Sequence, residues 1–180
     1  SSRDPSGFTA AHATSVAGTI ASSNNTFPGV AADATLFSAN SVTWIDSDIS
    51  DTIDWAASIQ DLEVISNSWG GNSMSTALND HDRHFDYVVR NLWSTVIKSA
   101  GNQADNCNDA TDIITSPGKA WSVITVGGYN DQGTVGWGDD DMYHCSSFLD
   151  PNTACEKPEV VAPGVNIGST SVSAPWVGAT

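Results

Sequence analysis

Two side chains near opposite ends of the chain are of types that can do chemistry together. His12 stands in Ala11-His12-Ala13-Thr14-Ser15-Val16-Ala17-Gly18-Thr19-Ile20-Ala21, a run of small residues with Val16 and Ile20 four apart, which predicts a close-packing helix. An imidazole takes and returns a proton near neutrality, so it can act as a general base. Ser171 stands in Ser169-Thr170-Ser171-Val172-Ser173-Ala174-Pro175-Trp176, where a hydroxyl opens a predicted helix. At that position Oγ lies beside free backbone N–H groups and the positive end of the helix dipole, a setting that serves an acyl-transfer nucleophile. Each residue also has a plainer reading. A lone histidine is commonly structural or exposed, and a helix-start hydroxyl is ordinarily an N-cap.

The elements that must position these groups alternate along the chain. Four short apolar runs read as buried strands: 34–39, 63–69, 95–100 and 122–126. Between them lie stretches with helical spacing, Ile49, Ile53, Ala56 and Ala57 after a cap at Asp46 or Ser47, and Leu78, Phe85, Val88, Val89 and Leu92 within 76–92. Alternation of this kind predicts right-handed βαβ units on a mostly parallel, doubly wound α/β sheet in a single domain spanning 1–180. Three strands run into small or glycine-bearing turns: Trp69-Gly70-Gly71, Ala100-Gly101-Asn102 and Val126-Gly127-Gly128. Ligands of open α/β sheets gather beyond the carboxyl ends of the strands, so these turns mark a binding edge, or simply tight turns.

Composition narrows the partners. The 180 residues carry a formal net charge of −15, and a chain so acidic repels phosphate backbones and anionic membranes. Neither nucleic acid nor a membrane is expected as a partner, and no run approaches the roughly 18 apolar residues of a membrane-spanning helix. Cys107, Cys145 and Cys155 lack metal-ligand spacing. Cys145 and Cys155 bracket a short loop that a disulfide could close, which points to an exported protein and leaves Cys107 as the odd thiol. His81 and His84, three apart among Asp80, Asp82 and Asp86, have a spacing that a transition metal could use, although such histidines usually face solvent.

Taken in order, the segments resemble the subtilisin-like (subtilase) serine endopeptidases. His12 with Thr14 and Val16-Ala17-Gly18-Thr19 is similar to that family's histidine helix, and Val64-Ile65-Ser66-Asn67-Ser68-Trp69-Gly70-Gly71 to its substrate-pairing strand. Lys98-Ser99-Ala100-Gly101-Asn102 resembles the turn carrying the oxyanion asparagine. Ser116-Pro117-Gly118, Val123 to Gly127, Ser146-Ser147-Phe148, Lys157 to Gly164 and Thr170 to Pro175 complete the series. The resemblance implies hydrolysis of peptide bonds through an acyl-enzyme. Ser171 would be the nucleophile, His12 its base, and Asn102 the side-chain donor to the oxyanion. It also implies that extended polypeptide substrate pairs along Ser68, Trp69 and Gly70, with Ser99, Ala100 and Gly101 walling the pocket for the residue before the scissile bond. Trp69 would narrow the adjacent subsite. The chemistry requires no cofactor; structural calcium is a family habit for which Asp139-Asp140-Asp141 offers hard oxygens without a dedicated ligand spacing. Secretion, and a propeptide partner, follow from the same resemblance.

The chain also departs from the family pattern. Only 11 residues precede His12, and Asp4, in a polar turn, is not assigned as the orienting carboxylate, whose loss elsewhere costs about 10⁴ in rate. Gly164 and Ser171 are joined more briefly than in the family, and the helix begun by Ser171 reaches Thr180 after about 10 residues, short for an isolated helix. The expectation is therefore a catalytic domain incomplete at both ends. The rival is a peptide-binding module that keeps the groove without cutting; an α/β-hydrolase is excluded because its nucleophile lies in Gly-x-Ser-x-Gly.

Overall fold

The structure, a computed structural model, describes residues 7–41, 45–71, 75–104, 107, 112–149 and 156–170, of which 7–10 by backbone only. It divides into two compact units, one formed by residues 1–44 with 165–180 and the other by 45–164.

The first unit contains helix α1, Gly7–Ala21. Its mid-section alternates alanine, glycine and hydroxyl residues, so another segment can approach its backbone closely, and the segment 169–170 does so. The run 34–39, expected to be a strand, forms none. Leu36 and Phe37 are exposed, because an apolar run becomes a strand only where a neighbour completes its ladder, and no ladder reaches it among the described residues.

The second unit is the sheet. Helix α2, Asp46–Ala57, buries Ile49, Ile53 and Ala56, the i, i+4, i+7 stripe. Its N-cap position is Ile45, not Asp46 or Ser47; Asp46 and Asp48 lie in the first turn, where their charges meet the helix dipole instead of capping it. Strand β1, Val64–Asn67, follows, then helix α3, Asp80–Leu92. Helix α3 begins with a reciprocal cap. Asp82 N–H donates to Asn79 Oδ1 at 3.0 Å, and Asn79 N–H donates to Asp82 Oδ2 at 2.9 Å. This cap places the helix start four residues later than position 76. Strand β2 (Thr95–Ser99), β3 (Ile124–Asn130), β4 (Asp141–Met142) and β5 (Val160–Pro163) complete the set.

Strands β1, β2, β3 and β5 are parallel, and β4 is antiparallel to β3. Val126 pairs with both Ser99 and Val160, and Tyr129 with both Met142 and Pro163, so β2 and β4 share one edge of β3 and β5 takes the other. Ile53, Phe85, Val88, Val96, Ala120 and Val123 form the core where α2 and α3 pack on β2. The strands are half-buried and not enclosed on both faces as their sequences suggest: Val64, Ile124, Val160 and Val161 are each at least 39% exposed. An apolar run records the demand for burial, whereas the covering layer decides whether that demand is met.

The disulfide joins Cys107 to Cys145, correcting the 145 to 155 pairing; Cys155 lies outside the described residues. The bridged residues are 38 apart, and closing a loop of that length removes about 4 kcal/mol of chain entropy from the unfolded state. Their approach is made by the fold. Ala104 N–H donates to the Cys145 carbonyl at 3.3 Å, a proximity that residue spacing could not reveal.

Candidate active site

Beyond the carboxyl ends of β1 and β2, two glycines pack on the buried Thr115. Gly70, beyond β1, packs so tightly on Thr115 that a Cβ there would meet its side chain, with Thr115 Cβ at 3.0 Å. Gly101, beyond β2, sits against the same residue, and its added Cβ would stand 2.5 Å from Thr115 Cγ2. Gly101 also holds φ at +112°, backbone that side-chain-bearing residues rarely adopt. Thr115 N–H and Oγ1 both donate to the Ala100 carbonyl, at 2.8 and 3.2 Å. Gly71 N–H donates to the Ser116 carbonyl at 3.0 Å. The structure thus brings the 68–71 and 99–102 segments together around one buried threonine. Thr115 escaped sequence reasoning because a threonine before Ser116-Pro117-Gly118 carries no signal of its own.

Trp69 is half-buried and turned toward α3. Its ring meets His81 and Phe85 edge-on, with centroids 6.0 and 6.4 Å away. The indole therefore packs against the core beside Gly70. Asn102 follows Gly101 directly and is exposed.

Around Asp82 lies a buried polar cluster. Lys98 on β2 is fully buried and donates to Ser99 Oγ at 2.8 Å and to the Ser99 carbonyl. Desolvation pushes its pKa down to about 7, opposed by the Asp82 carboxylate. Lys119 is lowered for the same reason, again opposed by Asp82, which lies 3.6 Å away. Lys119 also donates to the carbonyls of Ser75 and Ala77 at 3.0 and 2.7 Å. Asp82 Oδ2 accepts from Ser116 Oγ at 2.8 Å, while its buried Oδ1 has no hydrogen-bond partner among the described residues. One aspartate thus caps α3, holds the turn after Thr115 and faces two buried cations.

The Lys98 shift fixes the sign of a pH effect. Between about pH 7 and 10.5 the unfolded chain keeps a proton that the folded chain has released, so this group makes stability rise with pH across that window. Below it the full burial cost is incurred. Lys98→Met should therefore stabilise the protein by about 1–4 kcal/mol below pH 7 and flatten the dependence above it, as read by urea unfolding at a series of pH values. An unchanged slope would show that Lys98 keeps its ordinary proton affinity.

In the first unit, α1 carries His12, which is exposed. Two turns of that helix receive the chain leading to Ser171. Thr170 Oγ1 donates to the Thr14 carbonyl, Ser169 Oγ to the Ser15 carbonyl, and Thr19 Oγ1 to Ser169 Oγ at 3.1 Å. Gly18 makes room for this contact, since a Cβ there would come within 2.7 Å of Thr170 Cγ2. Ser171 itself lies outside the described residues.

The remaining candidates have other roles in the structure. His81 and His84 face α2, with Nε2 atoms 3.2 and 2.9 Å from Asp46 and Asp54 carboxylate oxygens. Asp139 ends a 3₁₀ turn and accepts from Thr134 Oγ1 at 2.9 Å, and Asp141 begins β4.

Comparison with known proteins places these features. The family model described as the subtilase family matches residues 2–180, and the chain belongs to that family. It is 30% identical over 175 residues to Serine protease AprX of Bacillus subtilis (strain 168), covering 87% of this chain and 38% of that protein. To Subtilisin E of the same organism it is 32% identical over 165 residues, covering 88% of this chain and 38% of the relative. The solved structure of Sphericase matches with a TM-score of 0.68 at 24% identity, over 93% of this chain and 57% of that one, a likeness of fold. The chain thus spans about two fifths of the length of these two curated relatives.

Proposed function

We propose that the protein of which this chain is part is a secreted serine endopeptidase that cleaves polypeptides through an acyl-enzyme. Ser171 attacks the scissile carbonyl while His12 takes its proton and later delivers it to the leaving amine. The Asn102 amide and the Ser171 backbone N–H stabilise the oxyanion. The observation that carries the reading is the seating of Ser169 and Thr170 on α1. It ties the residue preceding the nucleophile to the carbonyl of Thr14, two positions from His12. The packing of Gly70 and Gly101 on one threonine supports it independently, because it brings the two segments that would flank an extended substrate together. A propeptide and structural calcium remain part of the proposal by family resemblance alone.

Fluorophosphonate labelling of the full-length protein tests the reading. The adduct is expected on Ser171 and should vanish in Ser171→Ala. Folded full-length protein that takes no label and still binds peptide would instead establish the non-cutting module.

Thr115 sets the depth of the pocket in this proposal. Thr115→Gly removes the side chain against which both glycines pack, so kcat/KM should shift toward substrates with larger side chains before the scissile bond. A change of about one methylene in accommodated size is worth roughly 10- to 200-fold in relative kcat/KM. A peptide library profile identical to the parent's would rule out Thr115 as the pocket floor.

A further inference from the structure

Resting on the reading of Asn102 as oxyanion donor, we propose that the Cys107–Cys145 disulfide is a thiol-sensitive clasp that positions Asn102. The segment carrying Asn102 is bonded to residues 145–147 at three points. Ser147 N–H donates to the Gly101 carbonyl at 2.9 Å, Gln103 N–H to Ser147 Oγ at 3.1 Å, and Ala104 N–H to the Cys145 carbonyl at 3.3 Å. Cys107 N–H then donates back to the Ala104 carbonyl at 3.0 Å. The disulfide joins these same two segments covalently, just past the last of the three cross-bonds. Asn102 sits inside the frame so formed, between a glycine at φ +112° and a residue bonded to Ser147.

Cys107 is half-buried, and His144, exposed and stacked edge-on against Tyr143 at 5.0 Å, brings a ring nitrogen within 4.8 Å of both sulfurs. A small thiol acts in two steps. Its thiolate attacks one cysteine sulfur, the Sγ–Sγ bond breaks, and the other cysteine leaves as thiolate, which takes a proton from solvent. A second thiolate then displaces the first from the mixed disulfide, leaving two cysteine thiols and one external disulfide. Two electrons pass from two thiols to the protein.

Once reduced, the loop keeps its hydrogen bonds to the 145–147 segment but loses the covalent tie to it. A loosened amide donor loses its alignment with the oxyanion, which exists only in the transition state, while pairing of substrate is unaffected. Reduction should therefore lower kcat and leave KM in place.

The test uses the full-length protease carrying Cys155→Ser, so that the third thiol plays no part. The kcat and KM for a chromogenic peptide are measured per fluorophosphonate-labelled site, before and after dithiothreitol and after reoxidation with oxidised glutathione. Normalising to labelled sites removes any molecules that have unfolded. Reduced enzyme is expected to lose about 10-fold or more in kcat with KM within about twofold, and to regain it on reoxidation. Asn102→Ala, already slow, should lose no further activity on reduction. The clasp is overturned if thiol counting confirms reduction and kcat stays unchanged, or if Asn102→Ala loses the same factor as the parent. An oxidised Asn102→Ala enzyme with full kcat would overturn the oxyanion reading itself, a distinguishable result.

Discussion

His12→Ala in the full-length enzyme should lower kcat by about 10⁶-fold while KM moves only a few-fold, a magnitude set by measurements on subtilisin's nucleophile and base rather than deduced from this structure. The physical reason is that a serine hydroxyl is almost wholly protonated at neutral pH and attacks a carbonyl only as its proton leaves. In the described structure the segment leading to Ser171 is seated on the helix that carries His12. Thr170 and Ser169 are fixed to α1 by two hydrogen bonds to consecutive carbonyls, and Gly18 holds that contact close, so the segment leading to Ser171 has one approach to the helix. Single-turnover acylation of a peptide ester is the measurement that checks it. Residual acylation within tenfold of the parent would mean that another base serves Ser171. A secondary expectation is that Gly18→Ala, which forces Thr170 outward, lowers kcat without touching either reacting group.

Asn102→Ala should cost about 10²- to 10³-fold in kcat, again a figure measured on subtilisin's oxyanion asparagine, with KM nearly unchanged. An oxyanion donor, the role proposed for Asn102, contributes only as negative charge gathers on the carbonyl oxygen, so ground-state affinity would not depend on it. Steady-state kinetics on one peptide substrate, with folding confirmed by urea unfolding, gives the kcat and KM split directly. Were KM to rise with kcat intact, Asn102 would be a substrate-binding residue and not an oxyanion donor. The exposure of Asn102 beyond the buried Ala100 is consistent with this role, since the amide must face the substrate and not the core.

These effects depend on parts that were legible to different degrees. Helices α2 and α3 could be read because Ile49, Ile53, Phe85 and Val88 repeat at the helical period and their burial follows. β1, β2 and β3 could be read because short apolar runs between glycine turns have few alternatives. The run 34–39 looked the same and is exposed, since pattern alone does not supply a partner strand. Asp82 looked like one more acid on a charged helix; it is fully buried because Ser116 and Lys119, more than 30 residues further along the chain, converge with Asn79 on its carboxylate.

Family, most of the strand and helix order, and the residue types available for acyl transfer were legible in the linear chain, because periodicity and motif order are properties of it. Only the tertiary structure decided which cysteine Cys145 joins, that Thr115 lies under both Gly70 and Gly101, and that Ser169 and Thr170 lie on α1 some 150 residues away in the chain. Those outcomes depend on distances through space. Hydrogen bonds and van der Waals contacts act over a few ångströms, and separation along the backbone carries no information about that range until the sheet and its helices have packed.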